Sequence, residues 1–252
     1  SPRTARRLFE QAHERLRGTG DTRAVAQSCR GIVDAIIQEF DDLAALDRWM
    51  SALADLLSAE SPDAVDPGAL ATLVRALLLR DPGNAGLAKW LAHAQHAAPD
   101  TCAELVLARA MAATLHGDCA GADRIIGSLR ATSATQGAAT RIAVNFGAAL
   151  NRLLAGSCTE ALQAAHDGLA AADAEGLHPY DEWLRIVAAA AALDAGDCDN
   201  ARAELKVLDA AGVRLRRGDH AFIHYLRAWL AIVDGDMARA NLEAKSAVGV
   251  AA

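Results

Sequence analysis

A short turn sequence recurs four times in the second half of the chain at almost constant intervals. Each copy has a glycine, a polar residue and then cysteine or methionine, and an alanine stands five positions after the glycine. The copies are Gly117-Asp118-Cys119 with Ala122, Gly156-Ser157-Cys158 with Ala161, Gly196-Asp197-Cys198 with Ala201, and Gly235-Asp236-Met237 with Ala240. A constant period of about 40 residues is typical of stacked helical hairpins, in which each hairpin buries its apolar face against its neighbours.

The apolar residues predict an all-α chain. They recur at i, i+3, i+4 and i+7 between turns rich in Gly, Pro and Asp, which is the pattern of amphipathic helices. Apolar residues make up 52% of the sequence and aromatic residues only 4%, and alanine-rich cores favour helices over strands. We predict about thirteen helices and no β-sheet. One helix covers 3–17, and six hairpins follow at 22–39 with 43–58, 68–80 with 86–97, 101–116 with 119–131, 137–155 with 158–174, 181–195 with 198–211, and 219–234 with 237–248.

The period extends towards the amino end without the glycine turn. The segments Leu46-Asp47-Arg48-Trp49 and Leu87-Ala88-Lys89-Trp90 lie one such period apart, which places a tryptophan at equivalent points of two second helices. We therefore predict a single domain over 1–252. The stretch 58–68, with Pro62 and Pro67, is the least regular and the best candidate for a bend or a protease-sensitive loop.

Two columns of alanine accompany the repeated turn. Ala110, Ala149, Ala189 and Ala228 stand seven positions before the glycines, and Ala122, Ala161, Ala201 and Ala240 stand five positions after them. In this the sequence resembles the tetratricopeptide repeat, whose two helices touch through small residues at these places and whose turn commonly reads Gly-Asp-aromatic. Helix axes approach to about 8 Å only where side chains are small. The resemblance implies a right-handed superhelix of about six hairpins after one N-terminal helix.

The sequence departs from the usual tetratricopeptide repeat in two respects. The third turn residue is Cys or Met where the family usually has Tyr, and the period is about 40 residues where about 34 is usual. Longer helix pairs of this kind are similar to the sensor region of large ATP-dependent LuxR-type transcriptional regulators, of which the maltose-activator type is the best known. That resemblance implies a piece of a longer bacterial regulator, with a nucleotide-binding module before it and a helix-turn-helix module after it. The segment itself has no GxxxxGK[ST] motif and hence no P-loop.

Net charge restricts the partners of this segment. A charge of −7 and a pI of about 5.6 argue against direct contact with nucleic acid, which requires a basic field. The tightest basic cluster, Arg214, Arg216 and Arg217, is predicted to be a solvated loop and not an anion site. No signal peptide is evident and no apolar run approaches the roughly 20 residues of a membrane span. We expect a cytoplasmic protein with no membrane contact.

The cysteines predict a reducing compartment. There are five of them, an odd number without any CxxC pair. Three occupy the turn position that Met237 fills in the fourth copy, and Cys and Met replace one another as soft apolar groups. We therefore expect these side chains in the core, as free thiols.

No group of residues in the sequence predicts catalysis or a cofactor. His220 and His224 have the i, i+4 spacing of metal ligands, but the stretch lacks the glutamate of HExxH and a third ligand. His93 and His96 lie near a helix end, where histidine cations are common. The turn at Ser157 resembles a nucleophile turn, but its equivalence to three other turns makes it structural. We predict no enzyme, no metal and no cofactor; an all-α metalloenzyme using His220 and His224 is the weakest alternative.

The tetratricopeptide resemblance implies which residues face a concave surface, because the first helices of such an array line it. Polar contacts there would come from Asn145, Asn151, Arg185 and Arg227, and the apolar positions are Phe146, Leu150, Trp183, Ile186, Phe222, Tyr225 and Trp229. Such a stripe suits an amphipathic peptide, a sugar or an aromatic effector. The spacing of Phe222, Tyr225 and Trp229 is also that of a helical core, so ordinary packing between repeats is the alternative interpretation.

Taken together, these features predict a non-catalytic interaction and signal-sensing module of a bacterial transcriptional or signalling regulator. Its concave face would bind a partner protein or peptide, or a small-molecule effector. A small-molecule receptor domain, for example for an oligosaccharide, is the second hypothesis. The sequence leaves the oligomeric state open.

Overall fold

A computed structural model describes residues 1–59, 65–96, 102–132, 137–212 and 215–251, with the backbone alone for residues 96, 132 and 251. Within these ranges the chain forms thirteen α-helices and no strand, which confirms the all-α helical-repeat fold. Pro62, Arg214 and the side chain of His96, named above, lie outside the described residues.

The helix boundaries agree closely with the predicted ones, with differences of three positions or fewer. A single 3₁₀ turn at Leu43–Ala45 precedes the third helix. The helices are α1 Pro2–Leu16, α2 Thr22–Glu39, α3 Leu46–Ser58, α4 Pro67–Arg80, α5 Leu87–His96, α6 Ala103–Leu115, α7 Cys119–Thr132, α8 Ala138–Leu154, α9 Cys158–Glu175, α10 Asp181–Asp194, α11 Cys198–Ala211, α12 Arg217–Val233 and α13 Met237–Ala251. None of the helices in the described ranges is both long enough and apolar enough to cross a bilayer.

The helices form two compact units, Ser1–Leu115 and His116–Ala252. In the first unit, α2 packs against α1, α3 and α4, and α4 also packs against α5 and α6. Ile32, Leu53, Leu70 and Leu105 lie at its centre and are completely buried. This core is mainly aliphatic, as the composition predicts, and it also includes Trp49 and Trp90.

Trp49 and Trp90, the two tryptophans of the first unit, have matching surroundings. Each side chain is buried. The residue before each is a cation that lies over the indole ring: Arg48 Cζ is 4.7 Å from the Trp49 centroid, and Lys89 Nζ is 4.8 Å from that of Trp90. The two equivalent segments are therefore alike in environment as well as in sequence.

The second unit contains α7 to α13. Its helices α8, α10 and α12 are first helices of successive hairpins and pack side by side, α8 on α10 and α10 on α12. Helix α9 packs on both α8 and α10. Gly168 permits this close approach, because a Cβ atom there would lie 2.9 Å from Leu184 Cδ2 of α10.

The glycine of the repeated turn has the same backbone conformation in all four copies. The glycines Gly117, Gly156, Gly196 and Gly235 have φ of 83°, 75°, 78° and 76°, a left-handed conformation that glycine adopts without steric cost. In three copies the aspartate after the glycine then caps the second helix: Asp118, Asp197 and Asp236 accept hydrogen bonds from backbone N–H groups three positions on, at 2.8 to 3.1 Å. The turn ends one helix and starts the next.

The two alanine columns are almost inaccessible to solvent. All eight side chains, Ala110, Ala122, Ala149, Ala161, Ala189, Ala201, Ala228 and Ala240, are between 0% and 7% exposed. A larger side chain at these positions would have to displace its neighbours.

The prediction that the cysteine and methionine side chains of the turns lie in the core is wrong for Met237 and holds only in part for the three cysteines, of which Cys198 packs against a core cluster. Cys119, Cys158 and Cys198 are only partly buried, and Met237 is 63% exposed. This position is the first residue of a second helix, and it faces the next hairpin: Cys158 Sγ donates a hydrogen bond to Asp194 Oδ2 of α10 at 2.7 Å. No hairpin follows α13 within the described chain, so Met237 faces solvent.

Candidate functional site

Aromatic side chains form a row across the first helices of the second unit. We define the aromatic row as Tyr180, Phe146, Trp183 and Phe222. The Phe146 ring stacks on Tyr180 at 5.3 Å between centroids and meets Trp183 edge-on at 5.7 Å. Trp183 in turn lies 5.9 Å from Phe222 of α12. Aromatic pairs at these separations attract one another beyond the gain from burial alone, so the row joins α8, α10 and α12.

Arg216 lies beside Trp183 of the aromatic row. Its guanidinium lies 5.7 Å from the Trp183 centroid, a cation–π distance. Its Nε and Nη2 donate to Asp219 Oδ2 and Oδ1, both at 2.7 Å, and its backbone N–H donates to Oδ2 at 2.9 Å. Asp219 is completely buried. The prediction of a solvated basic loop is therefore wrong for Arg216, because a bidentate ion pair fixes it at the start of α12.

Helix α12 presents an apolar stripe to solvent. We define the α12 stripe as Phe222, Tyr225, Trp229, Ile232 and Val233. Trp229 is partly buried, and the other four side chains are between 42% and 56% exposed. Tyr225 and Trp229 are neighbours, with centroids 6.3 Å apart. Contiguous exposed apolar side chains of this kind mark interaction surfaces.

The predicted apolar residues of the other first helices are less accessible. Phe146 and Ile186 are buried, whereas Trp183 and Leu150 are partly buried. On α8 and α10 these residues are therefore largely packed between repeats, whereas on α12 they are more exposed; that they bind a ligand stays a prediction.

The predicted polar residues are engaged within the protein. Arg130 Nη2 donates to Asn145 Oδ1 at 3.1 Å. Arg185 Nη1 donates to Glu204 Oε2 at 2.9 Å, and Arg227 forms an ion pair with Asp209. These interactions connect α7 with α8 and α11 with both α10 and α12.

Asn151 does not face a surface at all. Its side chain is completely buried, and its Nδ2 donates to the Cys119 carbonyl at 3.1 Å and to Asp123 Oδ1 at 3.0 Å. The prediction that it supplies a ligand contact is wrong. A buried amide must be satisfied internally, and Asn151 does this by connecting α8 to α7.

The sequence pattern did not predict four residues of this region. Tyr180 precedes α10 and lies in a loop, where helical periodicity gives no signal. Arg216 belonged to a charge cluster whose internal partner, Asp219, is visible only in three dimensions. Ile232 and Val233 lie in the last turn of α12 and could have been found by extending the helical spacing of the predicted residues to the end of that helix.

His224 and His93, which the structure describes, each have a partner within the protein. His224 Nδ1 lies 2.6 Å from Glu243 Oε2 of α13. His93 Nδ1 lies 2.9 Å from the Lys89 carbonyl, and its ring contacts Trp90 at 5.5 Å. Across the described ranges, no three His, Cys, Asp or Glu side chains are placed to hold a metal ion together.

A buried histidine–cysteine pair lies in the first unit. Cys29 Sγ is 3.4 Å from His13 Nδ1, which also hydrogen bonds with Ser28 Oγ at 3.1 Å, and the His13 ring meets Trp49 edge-on at 5.1 Å. Cys29 is completely buried. Burial raises the pKa of its thiol to about 11 and lowers the pKa of His13. The pair is thus a neutral core contact and not an activated nucleophile.

The comparisons with known proteins give one informative result. No protein-family model and no curated protein matches the sequence. The fold is similar to a crystal structure of a tetratricopeptide repeat protein from Parabacteroides merdae ATCC 43184, with a TM-score of 0.63 over 98% of this chain and 93% of that one. Sequence identity is only 12%. The chain therefore has a tetratricopeptide-like helical-repeat fold.

Proposed function

We propose that this chain is a non-catalytic protein-interaction module that binds a partner protein through the α12 stripe. The first residue of this stripe, Phe222, is also a member of the aromatic row. The observation that carries the proposal is the exposure of the α12 stripe, which is apolar, contiguous and set on a rigid helix. Burying such a stripe against a partner gives about 25 cal/mol for each Å² of apolar surface removed from water. Aromatic residues on a rigid support are typical centres of binding energy.

A protein or peptide fits this surface better than a sugar or another polar effector. Asn145, Arg185 and Arg227 all have partners inside the unit, so a polar ligand would have to compete for them. A partner that contributes apolar side chains needs none of them. We also propose, from the sequence resemblance alone, that the module belongs to a bacterial cytoplasmic regulator, in which partner binding transmits a signal.

The test uses Tyr225→Ala, with Leu242→Ala of α13 as the matched control, because both side chains are exposed and apolar. The wild-type chain is used to capture partners from a lysate of the source organism, and a captured protein is then purified and titrated by calorimetry. We expect Tyr225→Ala to weaken its binding at least about tenfold, or roughly 1.4 kcal/mol or more, and Leu242→Ala to leave it unchanged. Equal affinity of Tyr225→Ala and the wild type would refute this site.

A further inference from the structure

Helix α1 is joined to the rest of the first unit by a single buried side chain. The structure describes all 15 residues of this helix, and only His13 is buried. By contrast, α2 buries eight residues and α4 buries ten. Because burial of side chains provides most of the stabilisation of a packed helix, the attachment of α1 depends mainly on this one ring.

The neutral form of His13 fits its surroundings. The hydroxyl of Ser28 donates to the Val25 carbonyl at 2.7 Å, so its oxygen accepts from Nδ1 of His13 at 3.1 Å. The Cys29 thiol, 3.4 Å from the same nitrogen, and the edge-on Trp49 ring complete the enclosure. A ring with one proton, on Nδ1, satisfies this arrangement.

The surroundings of His13 disfavour a second proton on the ring. Burial is the main cause that lowers the pKa of His13, and the cations Arg17 of α1 and Arg48 of α3 lower this pKa further. Glu14 of α1 and the Val25 carbonyl of α2 act in the opposite direction, but the pKa of His13 remains below 6.5. The charged ring is therefore better accommodated in water, outside the contact between α1, α2 and α3.

The remaining contacts of α1 do not reach the core of the first unit. Arg3 pairs with Asp41 at 2.7 Å, and Arg6 Nη1 lies 3.4 Å from Glu39 Oε2. Phe9, the largest apolar side chain of the helix, is 40% exposed. No residue of α1 belongs to the core cluster of this unit, which extends from α2 to α6. That core can therefore remain packed without α1.

We infer that α1 is an acid-released cover: when His13 takes up a proton, α1 separates from α2 and α3 and exposes the Cys29 thiol, while α2 to α6 stay folded. Local opening of this kind occurs in segments with few buried contacts, and α1 is such a segment. His13 supplies the dependence on pH, because histidine changes its charge near neutral pH. The inference goes beyond the proposed function. The α12 stripe belongs to the other compact unit, so a failure of either proposal leaves the other intact.

The reactivity of Cys29 tests the release of α1, because this side chain is completely buried while α1 is in place. The full chain is labelled at pH 8 and at pH 5 with dithiodipyridine, which modifies thiols in acid as well as at neutral pH. Peptide mass spectrometry gives the labelling rate of Cys29, and division by its rate in the urea-unfolded chain removes the pH dependence of the thiol chemistry. We expect this ratio to be at least about threefold higher at pH 5. About thirtyfold is the limit for a histidine whose ordinary pKa is 6.5.

Two variants and a second measurement complete the test. His13→Gln removes the titrating ring, so its ratio should be the same at both pH values. His93→Gln of α5 is the matched control and should respond like the wild type, because that ring bonds to the Lys89 carbonyl of its own helix. Hydrogen exchange of the wild type locates the opening: the amides of α1 should lose protection at pH 5, and those of α4 should keep it.

Three results would overturn the inference. The first is a wild-type labelling ratio for Cys29 that is equal at pH 8 and pH 5. The second is a full pH response in His13→Gln, which would show that another group controls the opening. The third is an equal loss of amide protection in α1 and α4, which would mean that the whole unit unfolds and not α1 alone.

Discussion

His13 shows what burial does to a single titratable residue of this protein. Its ring is enclosed by Ser28, Cys29 and Trp49, so its charged form would have to leave water. This desolvation, followed by the nearby positive charge of Arg17, lowers the pKa of His13 below its ordinary value of 6.5. The folded protein therefore favours the neutral ring.

The lowered pKa predicts a pH dependence of stability. The unfolded chain protonates His13 as the pH falls through 6.5, before the folded chain does, so the free energy of unfolding should fall below that pH. Well above that pH the two states bind the proton equally little and the effect is absent. Urea denaturation at pH 8 and pH 5 checks this, with His13→Gln as the comparison. We expect the wild type to lose more stability between the two pH values than the variant; equal losses would contradict the assignment.

At the scale of the helical element, the turn glycines are distinguished by their backbone conformation. Gly156 has φ of 75° in the turn before α9, whereas Gly127 lies in regular helix within α7. A Cβ atom at either position would meet nothing within 4 Å. Any difference between alanine substitutions at the two sites therefore comes from the backbone.

We expect Gly156→Ala to destabilise the protein by about 1 kcal/mol or more, because the left-handed conformation is unfavourable for alanine. Gly127→Ala should stabilise it by about 0.5 to 1 kcal/mol, since alanine favours helix. Chemical denaturation of both variants measures the difference. A neutral or stabilising Gly156→Ala would show that the turn tolerates other conformations.

Substitutions in the aromatic row and in the α12 stripe should differ in their effect on stability, because the side chains of the two sets differ in exposure. Trp183 contacts Phe146, Phe222 and Arg216, so Trp183→Ala should lower the free energy of unfolding by about 2 to 3 kcal/mol, somewhat less than for a fully buried tryptophan. Tyr225 is more than half exposed, and Tyr225→Ala should change stability by no more than about 0.5 kcal/mol. Thermal and urea unfolding measure both. A similar loss for the two variants would mean that Tyr225 belongs to the core.

The sequence predicts the helices well because their ends are marked locally. A glycine followed by a capping aspartate, as at Gly196 and Asp197, fixes where one helix ends and the next begins. The exposure of a side chain, in contrast, is not marked by the residues next to it in the sequence. Ile186 and Tyr225 both stand ten positions before a turn glycine, but Ile186 is 6% exposed and Tyr225 is 56% exposed. Ile186 lies on α10, which has α12 beside it. For the same reason Asn151 and Met237 were misplaced.

At the scale of the whole molecule, the repeat predicts the number of hairpins but not which helices belong to the same compact unit. The boundary between the two compact units follows Leu115 and falls between the two helices of the third predicted hairpin. Each repeat contacts only its neighbours, so such a division depends on local packing density, which a regular sequence pattern does not reveal.

The left-handed glycine turn has a consequence for how such a protein changes in length. Since the same conformation ends the first helix in four successive hairpins, an internal duplication of one of these periods would add a complete hairpin whose two sides already match those next to it. Helices and contacts elsewhere could stay as they are. The surface would thus be enlarged or shortened in whole steps of one hairpin.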